Sequence, residues 1–191
     1  MNILDERLRG LYERLAGTGL PVFVGGSIAA MYYGEPRSTL DIDVVVRAGP
    51  NDLEKIEQAF PAKGFYRPPP EVIRAELELD RGGQFNVIDL ASGLKADVYV
   101  AGSDPLITYG FQTATSRKIE GGTLNVASAT YVVAVKLRFY TISKQDKHVR
   151  DIRNVLAVSP DAVDLEKVES WARQWGALDV WEQCLRHRGE E

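Results

Sequence analysis

Hydrophobic periodicity changes character once along this chain, at Ser128. Beyond that residue the spacing is helical throughout; before it, short strand-like runs alternate with turns and helices. Any β-sheet is therefore confined to the first two-thirds of the sequence. Ile3, Leu4, Leu8, Leu11, Tyr12 and Leu15 predict an amphipathic helix over 3–16, broken between Gly17 and Pro21. Residues 21–27 (PVFVGGS) read as a short buried strand entering a glycine turn, and 28–33 as a helix closed by Gly34 and Pro36. Residues 40–47 (LDIDVVVR) read as a second strand, rich in β-branched residues, and 51–60 as a helix with Asn51 or Asp52 as N-cap.

Residues 64–83 are the least regular stretch. Three prolines at 68–70 exclude helix there and favour an extended connection, either a lid or an exposed connector. One hairpin is expected around Ala91-Ser92-Gly93 and a second at Gly121-Gly122. Helices follow over 129–142, 147–157 and 164–175, with Ser159-Pro160 as N-cap and first residue of the third, and a short fourth over about 178–187. Segregated elements in this order predict an α+β fold, with a sheet domain over 1–127 and a helical C-terminal region over 128–191 docked on it.

Composition narrows the class. At 45% hydrophobic and 26% charged residues the chain has ordinary globular content, and no apolar run approaches a bilayer span. The acidic start (MNILDERLRG) lacks the layout of a secretory signal. A single cysteine, Cys184, has no intramolecular disulfide partner, so a reducing, cytoplasmic location is expected. Net charge of −4 argues against non-specific coating of nucleic acid, although Lys136, Arg138, Lys144, Lys147, Arg150 and Arg153 form a basic run. That run is either a solvated helix face or a local attraction for phosphates.

The chemistry concentrates between Val24 and Val46. On a strand, Asp41 and Asp43 project from the same face, where two carboxylates repel and desolvation is costly. A divalent cation removes that conflict, and an all-oxygen set suits Mg2+, which completes its shell with phosphates and water. About fifteen residues upstream, Gly25-Gly26-Ser27 joins a strand to a helix. Glycines let backbone amides approach a polyphosphate, the helix N-terminus favours anions, and Ser27 adds a hydroxyl. A phosphate cradle beside a metal pair is what phosphoryl or nucleotidyl transfer requires.

Gly25, Gly26 and Ser27 followed by Arg37, Thr39, Asp41 and Asp43 resemble the signature of the nucleotidyltransferase superfamily, the DNA polymerase β-like fold. Within it the chain is most similar to small stand-alone bacterial members, such as AbiEii-type toxins and minimal nucleotidyltransferases. The motif covers about a quarter of the chain. The resemblance implies a mixed, mostly antiparallel sheet flanked by helices, an NTP substrate and a Mg2+ or Mn2+ cofactor. It also implies a third carboxylate on a later strand that completes the site and acts as general base. Asp89 and Asp97 are both candidates; the mid-strand setting KADVYV matches the family pattern and favours Asp97, which Lys95 on the same face is placed to pair with.

Lys136 lies on a helix apolar nearly all round and needs a compensating anion or a path to solvent. The resemblance assigns it to nucleotide phosphates and sets Asp151 in the family's basic-then-acidic helix. Arg37 is either a phosphate clamp or a salt bridge to Asp41. His148 has no companion at zinc-ligand spacing, and Trp171, Trp175 and Trp181 follow core spacing. The expected activity is transfer of an NMP from an NTP to an acceptor hydroxyl on a tRNA end, a protein or a small molecule. An alternative is a nucleotide-binding module or toxin–antitoxin partner without turnover, with an operon-encoded partner; phosphotransfer is a third reading. No membrane partner is expected.

Overall fold

The computed structural model describes residues 6–186. Seven strands form one sheet: β1 (Val22–Val24), β2 (Asp41–Val46), β3 (Phe65–Tyr66), β4 (Gln84–Asp89), β5 (Lys95–Val100), β6 (Thr115–Ile119) and β7 (Gly122–Val126), in the order β3-β4-β5-β2-β1-β7-β6. The β2–β5 and β1–β7 pairs are parallel and the other neighbours antiparallel, so the sheet is mixed and mostly antiparallel, as expected. Central position follows from composition. Val44, Val45 and Val46 are buried, so β2 is covered on both faces once past its two acids.

One face packs against α1 (Glu6–Ala16), whose Leu8, Leu11, Tyr12 and Leu15 are buried. The Tyr12 hydroxyl accepts a hydrogen bond from the Asn125 backbone N–H at 3.0 Å, tying α1 to β7. Ile3 and Leu4 of the expected helix lie outside the described residues. α3 (Leu53–Ala59) packs beside α1. Its predicted cap, Asp52, bonds the Gly49 N–H and pairs with Lys55 instead of bonding the helix amides.

The other face carries α2 (Gly26–Tyr33) and α6 (Ala129–Ser143). Ser128 caps α6 by accepting from the Tyr131 N–H. α7 (Asp146–Val158), α8 (Leu165–Gln174) and α9 (Leu178–Arg186) complete the C-terminal layer, and α6 packs on α2, α5, α7 and α8. Apolar side chains from the sheet and from these helices join one core cluster. Among the described residues no helix is long and apolar enough to cross a membrane.

Two expectations need correction, and one helix lies where the sequence reading placed no element. The prolines do not keep residues 68–70 out of helix: Pro70 is the first residue of α4 (Pro70–Glu78), where a missing N–H costs nothing, and only Pro68 and Pro69 are extended. Ile73 and Leu77 anchor this helix in the core, so the stretch is a packed element at the β3 edge. Ser159-Pro160 does not open the third C-terminal helix; it leads a separate 3-10 turn at Pro160–Ala162, and Asp164 caps α8 by accepting from the Lys167 N–H at 2.9 Å. Finally, α5 (Pro105–Thr113) went unread in the sequence. Asp104 caps it from one carboxylate oxygen and pairs with Arg138 through the other. Gly110 lets α5 lie against Phe23 and Tyr131, since a Cβ there would sit 2.7 Å from both rings.

Candidate active site

The parallel register of β2 and β5 sets the site's geometry. Asp41 lies opposite Lys95, Asp43 opposite Asp97, and Val45 opposite Tyr99. Because strand side chains alternate, these six residues share one sheet face, and it is the face under α2 and α6. The same parity separates the two candidate third acids. Asn86 of β4 pairs with Asp97, so the even-numbered positions of β4 share the site face and Asp89 falls on the opposite one. There its oxygens accept from the Ala91 N–H at 3.0 Å and the Ser92 hydroxyl at 2.8 Å, holding the hairpin turn and lowering its pKa. Asp97 is the acid beside Asp43, and it forms an ion pair with Lys95 at 2.9 Å.

The glycine turn closes over Asp43. The Gly25 N–H bonds the Asp43 carbonyl at 2.9 Å, and the Ser27 N–H, in the first turn of α2, donates to Asp43 Oδ2 at 3.3 Å. Gly26 adopts φ +52°, the left-handed region in which a side chain is strained. Tyr99 lines the same cavity beside Asp43. Asp41 Oδ1 accepts from the Thr39 hydroxyl at 2.7 Å.

Burial raises the pKa of Asp43; the charges of Asp41 and Asp97 push the same way, while Lys136 and the Ser27 N–H oppose them. The Tyr99 hydroxyl is pushed upward by burial and by the same carboxylates, and the bond to Asp97 raises the pKa of Lys95.

Lys136 is buried and does not snorkel: Asp151 Oδ2 stands 2.8 Å from its ammonium. Arg37 does not bridge to Asp41. It donates to the Ser27 hydroxyl at 2.7 Å and reaches within 3.8 Å of the same Asp151 oxygen. Asp151 thus holds two cations, from the loop before β2 and from α6, toward the carboxylates.

These groups line a cavity of about 950 Å3, walled also by Leu40, Phe139, Ser143, Gln145, Lys147 and His148. An apolar recess leads from Asp43 between Val45, Tyr99, Ile107, Tyr131 and Phe139. The basic run splits: Lys136 and Lys147 face the carboxylate cavity, whereas Arg150 and Arg153 line a separate one of about 790 Å3 beside α7. Trp171 and Trp181 are buried, and Trp175 stacks on Trp171 at 6.1 Å. Tyr99, Phe139 and His148 were not read as site residues; only Tyr99, two positions after Asp97 on one strand, carried a signal.

Among the described residues no three His, Cys, Asp or Glu side chains converge closely enough to hold a metal ion between them. Asp41 and Asp43 offer carboxylate oxygens at one wall of a polar cavity, while Lys95 engages Asp97. A two-carboxylate set open to water and phosphate fits Mg2+ chemistry.

No family model and no curated protein matches this sequence. Solved structures do. The chain is similar to the antibiotic-resistance factor ANT(2'')-Ia, with TM-score 0.57 at 15% identity, covering 96% of this chain and 99% of that one. A second structure of that factor, in complex with adenylyl-2''-tobramycin, gives TM-score 0.57 at 16% identity, covering 90% and 95%. An antigenic nucleotidyltransferase-like protein from Paracoccidioides brasiliensis gives TM-score 0.56 at 16% identity, covering 94% and 90%. The chain has the nucleotidyltransferase fold that its glycine turn and paired aspartates led us to expect.

Proposed function

We propose that this protein is a metal-dependent nucleotidyltransferase that moves an NMP from an NTP to an acceptor hydroxyl. The observation that carries the reading is the placement of Asp41 and Asp43 on one strand face, in register with Asp97, beneath the Gly25-Gly26-Ser27 turn. Asp41 and Asp43 would hold Mg2+ or Mn2+, with Asp97 joining them when Lys95 releases it; the ion, when bound, offsets phosphate charge. Gly25, Gly26 and Ser27 present amides and a hydroxyl to the triphosphate, and Arg37 and Lys136 add positive charge. Asp97 takes the proton of the acceptor hydroxyl as its oxygen bonds the α-phosphorus, and the bond to the bridging oxygen breaks to release pyrophosphate. The acids come from β2 and β5, and α6 and α7 supply the cover over them.

The acceptor class is open to a small molecule, a tRNA end or a protein. The adenylyl-tobramycin complex of ANT(2'')-Ia, at the same fold, supports including the first. Pyrophosphate release with each of the four NTPs and an acceptor panel, for the wild type and an Asp41→Ala/Asp43→Ala variant, tests the reading. Release that depends on the aspartates supports it; none across the panel would sink it.

The Lys95–Asp97 ion pair supports a second reading, a nucleotide-binding module without turnover, such as one half of a toxin–antitoxin pair with an operon-encoded partner. NTP binding without pyrophosphate release is its signature. A product heavier by phosphate alone, seen by mass spectrometry, would assign phosphotransfer instead.

A further inference from the structure

His148 belongs to none of the motifs above, yet its ring lines the carboxylate cavity while being only 8% exposed. The ring stacks on Phe139 with centroids 5.9 Å apart and planes 17° from parallel, which fixes its orientation. Its Nδ1 is buried and has no hydrogen-bond partner. A buried N–H without an acceptor is the costlier orphan, so the neutral ring carries its proton on Nε2, the nitrogen left to face the cavity.

We infer that His148 is a phosphate-binding residue of this site, donating from Nε2 to an anionic oxygen of a bound nucleoside triphosphate. The inference rests on the nucleotide-binding reading above. The surroundings are those of an anion site: Lys136 comes from α6, Lys147 precedes His148 on α7, and Arg37 approaches from the loop before β2. Asp151 is the acid that faces this group, and it is already engaged by Lys136 and Arg37. Burial and the two lysines lower the pKa of His148 against the opposing charge of Asp151, which favours the neutral ring. A phosphate oxygen reverses the balance. It favours the imidazolium, so binding takes up a proton and tightens as pH falls through the ligand-bound pKa.

The test is a titration of histidine ring signals by NMR, with and without inorganic tripolyphosphate at constant Mg2+. The chain has two histidines, so His148→Gln identifies the signal by its loss. The expected result is an upward pKa shift of His148 on ligand binding. In parallel, calorimetry should show His148→Leu binding tripolyphosphate about tenfold more weakly at pH 6, with a smaller deficit at pH 8. His148→Gln, which keeps a donor near the Nε2 position, should recover affinity without the pH dependence. Thermal melts establish that both variants fold. Wild-type binding with no shift of the His148 signal, or equal binding by the folded His148→Leu variant, overturns this inference and leaves the proposed function standing. No binding of tripolyphosphate or NTP by the wild type overturns both.

Discussion

Gly26 and Asp43 are packed so closely that a Cβ on the glycine would lie 1.6 Å from Asp43 Oδ2. The left-handed φ of Gly26 adds a backbone penalty to that clash. Both effects fall on the turn that presents the Ser27 N–H to the carboxylate. Gly26→Ala should displace Asp43, lower pyrophosphate release about a hundredfold, and cost about 1–3 kcal/mol of stability. Gly10→Ala is the control: nothing lies within 4 Å of its Cβ position in α1, so it should gain about 0.5–1 kcal/mol in urea unfolding with unchanged activity. Equal behaviour of the two variants would disprove the steric account.

Asp151 makes a second prediction. It stands at ion-pair distance from Lys136 with both side chains buried, without hydrogen-bond alignment, and is shared with Arg37. Removing one partner strands a buried charge, so Asp151→Asn should cost about 3–5 kcal/mol. Lys136→Met/Asp151→Leu should recover most of that loss, because two apolar side chains need no compensation. Affinity for NTP should not recover with it, since Lys136 is the cation proposed to face the phosphates. Chemical unfolding and nucleotide titration of the wild type and these two variants separate the two quantities.

What the sequence made legible followed strict rules of spacing. The alternation of side chains along a strand put Asp41 and Asp43 together, and the glycine turn announced itself by residue type. Lys136, on an apolar helix, called for either an anion or a path to solvent, and only the packing shows that Asp151 stands beside it. What it could not convey depends on register between distant strands and on the angles between helices. The mid-strand setting already favoured Asp97, but its placement beside Asp43, with Asp89 on the opposite face, depends on β5 pairing with β2 and β4, and Asp151 meets Arg37 only because α7 crosses near the loop before β2. α5 escaped notice because its cap, Asp104, is followed by only nine helical residues with a glycine among them. Pro70 was misread because a proline at a helix's first position and one in an extended connector look alike until the following residues are seen to pack.

Cys184 gives a third prediction. Burial pushes its thiol up to about 11, with Arg153 opposing. The thiolate is the reactive form, so the folded protein should resist a thiol-specific disulfide reagent at pH 8, and one equivalent should react once guanidinium unfolds it. Rapid reaction of the native thiol would contradict the packing of α9.

Asp43 makes the stability of the protein depend on pH. The folded-state pKa of Asp43 is raised, so its contribution to stability is fully present below the ordinary carboxylate pKa and is lost as pH rises through the folded value. Ionising this buried acid costs the folded protein stability, so Asp43→Asn should melt a few degrees higher than the wild type at pH values above the folded-state pKa. That advantage should shrink as pH falls through the folded-state pKa, because the wild type then becomes protonated too. Added Mg2+ should raise the wild-type Tm at pH 7 and leave Asp43→Asn nearly unchanged, because the cation rewards the charged form alone. The same variant should lose pyrophosphate release. An Asp43→Asn variant no more stable than the wild type at any pH would show that burying the charged carboxylate carries no cost.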